Sequence, residues 1–194
     1  MIRTYRNPET FPETDFVKYV SIDPAIKNFV MRIETRKGTE IEANLFELVK
    51  LGSGKKEKIE TILTNLQSYL DSVLHLLSDV RLVVIETQMD KTPMIKIQYY
   101  LLGFFMNCPL FFNTIILEIS PKLKGKALGC SKGLNKYALK KWSVEKAKEI
   151  CERNGDIASL EILKAHKKSK KNELKDDDLA DTVIMLEAVL MQCE

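Results

Sequence analysis

A chain of 194 residues is long enough for one domain with a substantial core and short for two, and 45% apolar with 29% charged residues describes an ordinary globule rather than a disordered chain. No apolar run reaches the roughly 18 residues of a membrane-spanning helix, and the opening MIRTYRNPETFPETDF has no apolar signal core, so an intracellular protein with no membrane partner is expected. The net charge of +3 excludes little by its size.

Residues 1–16 are polar and proline-containing and read as an N-terminal extension, with the domain itself spanning 17–194. VKYVSID (17–23) reads as a short buried strand ending in an acid, NFVMRIETRKG (28–38) as a second strand closed by Gly38, and TEIEANLFELVKL (39–51) as a third. Short links between them predict an antiparallel meander. After GSGKK (52–56), Ile59, Ile62, Leu63, Leu66, Leu70, Val73, Leu74 and Leu77 recur at helical spacing, predicting a long amphipathic helix. RLVVIE (81–86) is continuously apolar up to its terminal acid, the pattern of a parallel strand covered on both faces. Pro93 opens an apolar helix through MIKIQYYLLGFFMN (94–107), and NTIILEI (113–119) is a further buried strand. A lysine-rich loop follows, then a helix over KYALKKWSVEKAKEICERNG (136–155) and a last helix starting near Asp177. The expected fold class is α/β: a mixed five-stranded sheet, three antiparallel strands and then two parallel, with helices on both faces, which is the layout of an RNase H-like domain.

Four acids stand where apolar structure meets a loop. Asp23 ends the first strand and Glu86 the fourth; if those two strands lie side by side and parallel, both carboxylates emerge at one edge. Asp178 and Asp181, three apart on the last helix, share a face and can reach the same point. Carboxylates this close repel one another, more strongly at a buried strand end, and require a cation. Oxygen-only donors suit Mg2+ or Mn2+, and a two-ion site performs in-line attack on a phosphodiester. Plainer readings exist for acids in these segments: Asp176 or Asp177 as a helix cap, Asp23 before Pro24 as a turn former. Glu86 resists one, because a glutamate closing a buried strand needs a partner.

The basic residues are concentrated. Lys122, Lys124, Lys126, Lys132, Lys136, Lys140 and Lys141 occur between 121 and 141 with no acid among them, a footprint for a polyanion, and KAHKKSKKNELK (164–175) forms a second run. The plain reading of either run is a solvated surface. The scattered Cys108, Cys130, Cys151 and Cys193 form no CxxC pair and read as reduced thiols.

SIDPAIKN (21–28), VVIETQMDKTPMIKIQYYLLGFFM (83–106), EISPKLKG (118–125) and KDDDLADT (175–182) together resemble the Holliday junction resolvases of poxviruses and related large DNA viruses, relatives of bacterial RuvC and of the fungal mitochondrial resolvases. The resemblance spans about residues 17–190 in order. It implies that Asp23, Glu86, Asp178 and Asp181 form a metal-binding catalytic tetrad holding two Mg2+ or Mn2+ ions. It further implies DNA contacts from Lys27, Gln88 and Lys91 and from the basic loop carrying Lys122 and Lys124, to which the charge pattern adds Lys126 and Lys132. A homodimer through helix 94–107, acting on four-way junctions and leaving 5′ phosphates, completes that expectation. Pro24 and Ala25 depart from the family, which has a branched apolar residue and glycine there. The rival readings are another RNase H-like nuclease cutting flaps, forks or RNA–DNA hybrids, and a DNA-binding scaffold without catalysis.

Overall fold

The computed structural model describes residues 1–6, 16–38, 40–54, 56–88, 92–165 and 176–193. Its strands are β1 (Ile2–Arg6), β2 (Val17–Asp23), β3 (Phe29–Lys37), β4 (Glu40–Val49), β5 (Val80–Glu86) and β6 (Ile115–Ile119); its helices are α1 (Ile59–Val73), α2 (Thr92–Asn107), α3 (Lys122–Ala127), α4 (Lys136–Arg153), α5 (Ile157–Ala165) and α6 (Asp176–Cys193).

One mixed sheet runs in the order β1-β6-β5-β2-β3-β4. The meander β2-β3-β4 is antiparallel, and β2, β5 and β6 are parallel neighbours, as the pattern of apolar runs predicts. The sheet has six strands instead of the expected five, because Ile2–Arg6 pairs antiparallel with β6, from Ile2 opposite Ile119 to Arg6 opposite Ile116. IRTYR is an edge strand with one face in water, so its polar residues carry no core signal. Tyr5 nonetheless anchors it, its hydroxyl donating to Glu118 Oε2 at 2.6 Å.

The period of two along the strands divides the core into two layers. Val20 and Ile22 of β2 and Val83 and Ile85 of β5 face α1 and α2, packing with Ile62, Leu66, Ile97, Leu101 and Phe105. Leu82 and Val84 face the other way, toward α3 and α6, where Leu123, Met185, Leu186 and Val189 cover them. Farther along the sheet Val30 and Phe46 pack under α4, α5 and α6. The YYLLGFF stretch of α2 is largely core: Leu101, Leu102 and Phe105 are buried, leaving Tyr99 and Met106 exposed.

A buried ionic cluster fastens the second layer to β3. Arg32, 1% exposed, donates from Nε to Glu34 (2.6 Å), from Nη2 to Asp156 (2.6 Å) and from Nη1 to the Ser159 hydroxyl (2.5 Å). Arg36 links Glu34 to Glu187 of α6, and Arg153 of α4 reaches the same Glu187. Gly155, at φ +69°, ends α4 in the left-handed conformation that glycine adopts without strain, and α5 follows at once. No described helix is long and apolar enough to cross a membrane.

Candidate active site

Register determines which acids meet. Ile22 of β2 lies opposite Ile85 of β5, so the next residues, Asp23 and Glu86, emerge side by side at the carboxyl ends of two adjacent parallel strands. By parity both point to the layer covered by α6, along with Ser21, Leu82 and Val84. Helix α6 crosses this layer with Leu179, Ala180 and Val183 buried against the protein, and its first turns carry the remaining acids. Carboxylate oxygens of Asp23, Glu86 and Asp181 all lie within 4.8 Å of one another. Asp178 is adjacent but held separately: Asn28 Nδ2 donates to its Oδ2 at 2.7 Å.

One of the lysines expected at the DNA, Lys124, lies inside this group. Lys124 is 6% exposed, and its Nζ is 2.6 Å from Glu86 Oε1 and 2.8 Å from Asp181 Oδ2. The segment after β6 is the short helix α3, not a loop, and buried Leu123 turns the side of α3 that bears Lys124 into the fold. Lys122 and Lys126, on the other side of α3, are exposed, as are Lys27 and Lys132. Gln88 is half-buried; its backbone N–H donates to Gln98 Oε1 at 2.7 Å and its side chain reaches toward Asp23 Oδ1 at 3.5 Å. Gln98 in turn donates to Glu118, tying this turn to β6 and, through Tyr5, to β1. Lys91 and the run at 166–175 lie outside the described residues. With Pro24 and Ala25 the turn after β2 is well tied, since Ile26 O accepts from Leu51 N (2.8 Å) and Gly52 N (3.1 Å). A groove of about 570 Å³ opens there, bordered by Lys27, Asn28, Lys56 and Met94.

The electrostatics follow from crowding. Burial pushes Asp23 well above the usual carboxylate range, and the charges of Glu86, Asp181 and Asp178 push the same way, with Lys124 opposing. Burial and Glu86 also raise Asp181, against the pull of Lys124 and a hydrogen bond from Ser143. Burial alone would ease the proton off Lys124, but Glu86 and Asp181 more than offset this and bind it more tightly than in free lysine. Among the described residues, Lys124 is the ammonium set between Glu86 and Asp181, with the Asp23 carboxylate beside them. An all-oxygen donor set of three clustered carboxylates fits a hard divalent cation.

Sequence reading found the acids but not what surrounds them. Asn28 is fixed to Asp178, Ser143 supports Asp181, and Lys140 pairs with Asp177 at the start of α6. Asn28 lies within the SIDPAIKN motif and Lys140 within the lysine run, whereas Ser143 carries no sequence signal.

No family model and no curated protein matches the sequence. Solved structures do. Thermus thermophilus RuvC in complex with a Holliday junction substrate matches with a TM-score of 0.58 at 14% identity, over 91% of this chain and 95% of that one. Fowlpox virus resolvase in complex with substrate Holliday junction DNA matches with a TM-score of 0.56 at 21% identity, over 91% and 98%. The chain has the RuvC-like, RNase H-like fold across nearly its whole length.

Proposed function

We propose that the protein is a divalent-metal-dependent, structure-selective endonuclease that resolves four-way DNA junctions by paired symmetric nicks. The observation that carries this reading is the convergence of Asp23, Glu86 and Asp181 within 4.8 Å at the ends of β2 and β5, beside Asp178. Support for the substrate comes from the fold shared with RuvC and Fowlpox virus resolvase, both captured with Holliday junction DNA.

Asp23, Glu86, Asp178 and Asp181 would hold Mg2+ or Mn2+, two ions per site in our reading, which when bound supply an activated water and neutralise charge on the cleaved phosphodiester. The chain's own residues prepare that place. Asn28 fixes the Asp178 carboxylate, Lys124 restrains the repulsion between Glu86 and Asp181, and the Gln98–Gln88 contact holds the turn beside Asp23. Lys124 is thus given to the acids and not to the phosphate backbone. Lys27, Gln88, Lys91, Lys122, Lys126 and Lys132 bind phosphates without reading sequence, so selection rests on the shape of the branch. A homodimer suits a nearly twofold junction that must be cut twice, and the exposed Tyr99 and Met106 of α2 are where we place its contact.

A competition among labelled four-way junction, flap, fork, RNA–DNA hybrid and linear duplex tests the substrate. Preferential, paired cutting of the junction is expected. Preferential cutting of a flap or hybrid would retain the nuclease and discard the resolvase. Junction binding without cutting in either metal would favour a scaffold, a reading to which the partial neutralisation of the acids by Lys124 lends some support.

A further inference from the structure

From Ser131 to Tyr137 every residue is exposed, so this segment stands off the body of the protein. Gly129 at φ +76° and Gly133 at φ +82° turn its backbone in ways other residues resist. Its end is rigid: Asn135 caps α4, accepting from Ala138 N at 2.9 Å, so Tyr137 sits in the first turn of an 18-residue helix. Tyr137 is 80% exposed, more than any other aromatic residue among those described, and no described residue stacks on it or hydrogen-bonds to it. Leu134 and Leu139 beside it are also exposed.

The surroundings of this apolar tip identify its occupant. Lys132, Lys136 and Lys141 are exposed around it, and no acid occurs between 121 and 141, so the face complements a polyanion and repels a second copy of itself. Its position relative to the acids is also defined. Lys140, one turn beyond Tyr137, pairs with Asp177, and Ser143, a further turn on, supports Asp181. Tyr137 therefore stands about 9 Å along the α4 axis from the residue that touches the acid cluster, about two to three base steps of a DNA strand.

We infer that Tyr137 is a stacking platform for a nucleobase exposed at the branch point, next to the strand being cut, with the neighbouring lysines holding that strand's phosphates. This rests on the junction-nuclease reading. Duplex bases are stacked and unavailable, whereas bases at an opened branch present a free face, and an aromatic ring within a basic patch is how single-stranded segments are bound. The Tyr137 site thus adds branch selectivity to a basic surface that alone would bind any DNA.

The test is binding of the full-length protein to a four-way junction carrying 2-aminopurine beside the branch, and to linear duplex of matched sequence, comparing wild type, Tyr137→Phe and Tyr137→Ala. Tyr137 is 80% exposed, so both variants are expected to fold. Wild type and Tyr137→Phe should alter the 2-aminopurine fluorescence alike. Tyr137→Ala should abolish that change and weaken junction binding by about 5- to 150-fold, the value of one base–aromatic stack, with duplex binding unaltered. Tyr137→Ala binding the junction as wild type does, weakening junction and duplex equally, or shifting the oligomeric state by light scattering would each overturn the inference. Wild-type binding with no preference for the junction would instead remove the reading beneath it, and the inference with it.

Discussion

Replacing Lys124 with methionine removes the ammonium held between Glu86 and Asp181 while keeping the length of the side chain. At separations of 2.6 and 2.8 Å and an effective dielectric of about 20, each contact carries about 6 kcal/mol of Coulomb attraction. Much of that only offsets the desolvation of the three buried groups, so the net loss should be about 3–5 kcal/mol, the usual cost of removing one partner of a buried pair. The loss should have an electrostatic signature. Asp23 and Asp181 already have folded-state pKa values above their unfolded ones. The stability they contribute is therefore present below the unfolded value of about 3.9 and is lost as pH rises through the raised folded value. Without Lys124 both folded values climb further, so the deficit relative to wild type should be largest at neutral pH and shrink on mild acidification. Mg2+ should also shrink it, because the variant's folded state, with no ammonium competing for the carboxylates, binds the ion more tightly than wild type does. Urea unfolding followed by circular dichroism, with EDTA, with Mg2+ and across this pH range, reads all of it. A deficit indifferent to both pH and Mg2+ would mean that Lys124 matters only as packing, and would refute the charge argument.

Arg32→Met should destabilise the fold by about 3–5 kcal/mol in denaturant unfolding, because Glu34 and Asp156 would remain buried without their counter-ion. Arg32→Lys should not restore the loss, since a point charge cannot serve three acceptors in the directions a guanidinium does. Tyr5→Phe should cost about 1–2 kcal/mol by removing a donor from buried Glu118, showing β1 to be part of the cooperative unit. Lys122→Gln should weaken binding to all DNA forms alike and reduce the slope of log affinity against log salt by about 0.9, measured by titration at several salt concentrations.

What could be read in the sequence was whatever the core dictates. VKYVSID and RLVVIE each run through buried residues into a terminal acid, and that makes Asp23 and Glu86 conspicuous. The parity that turns both acids toward α6 follows from the same runs once β2 and β5 are neighbours. Features without a hydrophobic signature were missed. β1 is polar because it lies at an edge, and α5 escaped notice because the breaks at Gly155 and Asp156 and the following lysine run mask its short apolar stripe. Arg32 sits within an apolar strand, where its charge gives no sign of the buried acids that α5 and its approach bring to it. Lys124 was indistinguishable from its neighbours in a run of lysines that reads as solvated, since only the packing of α3 buries one of them. Ionic pairings between distant segments depend on tertiary geometry, and no local periodicity encodes them.

The most direct test of the central claim is cleavage of a labelled immobile four-way junction in Mg2+ or Mn2+, by the intact chain and by Glu86→Gln, with junction affinity measured in parallel. Paired symmetric nicks by the intact chain, abolished in the variant while junction binding persists, are the expected result. Equal cutting by the two proteins would contradict the assignment of the converging carboxylates as the catalytic centre.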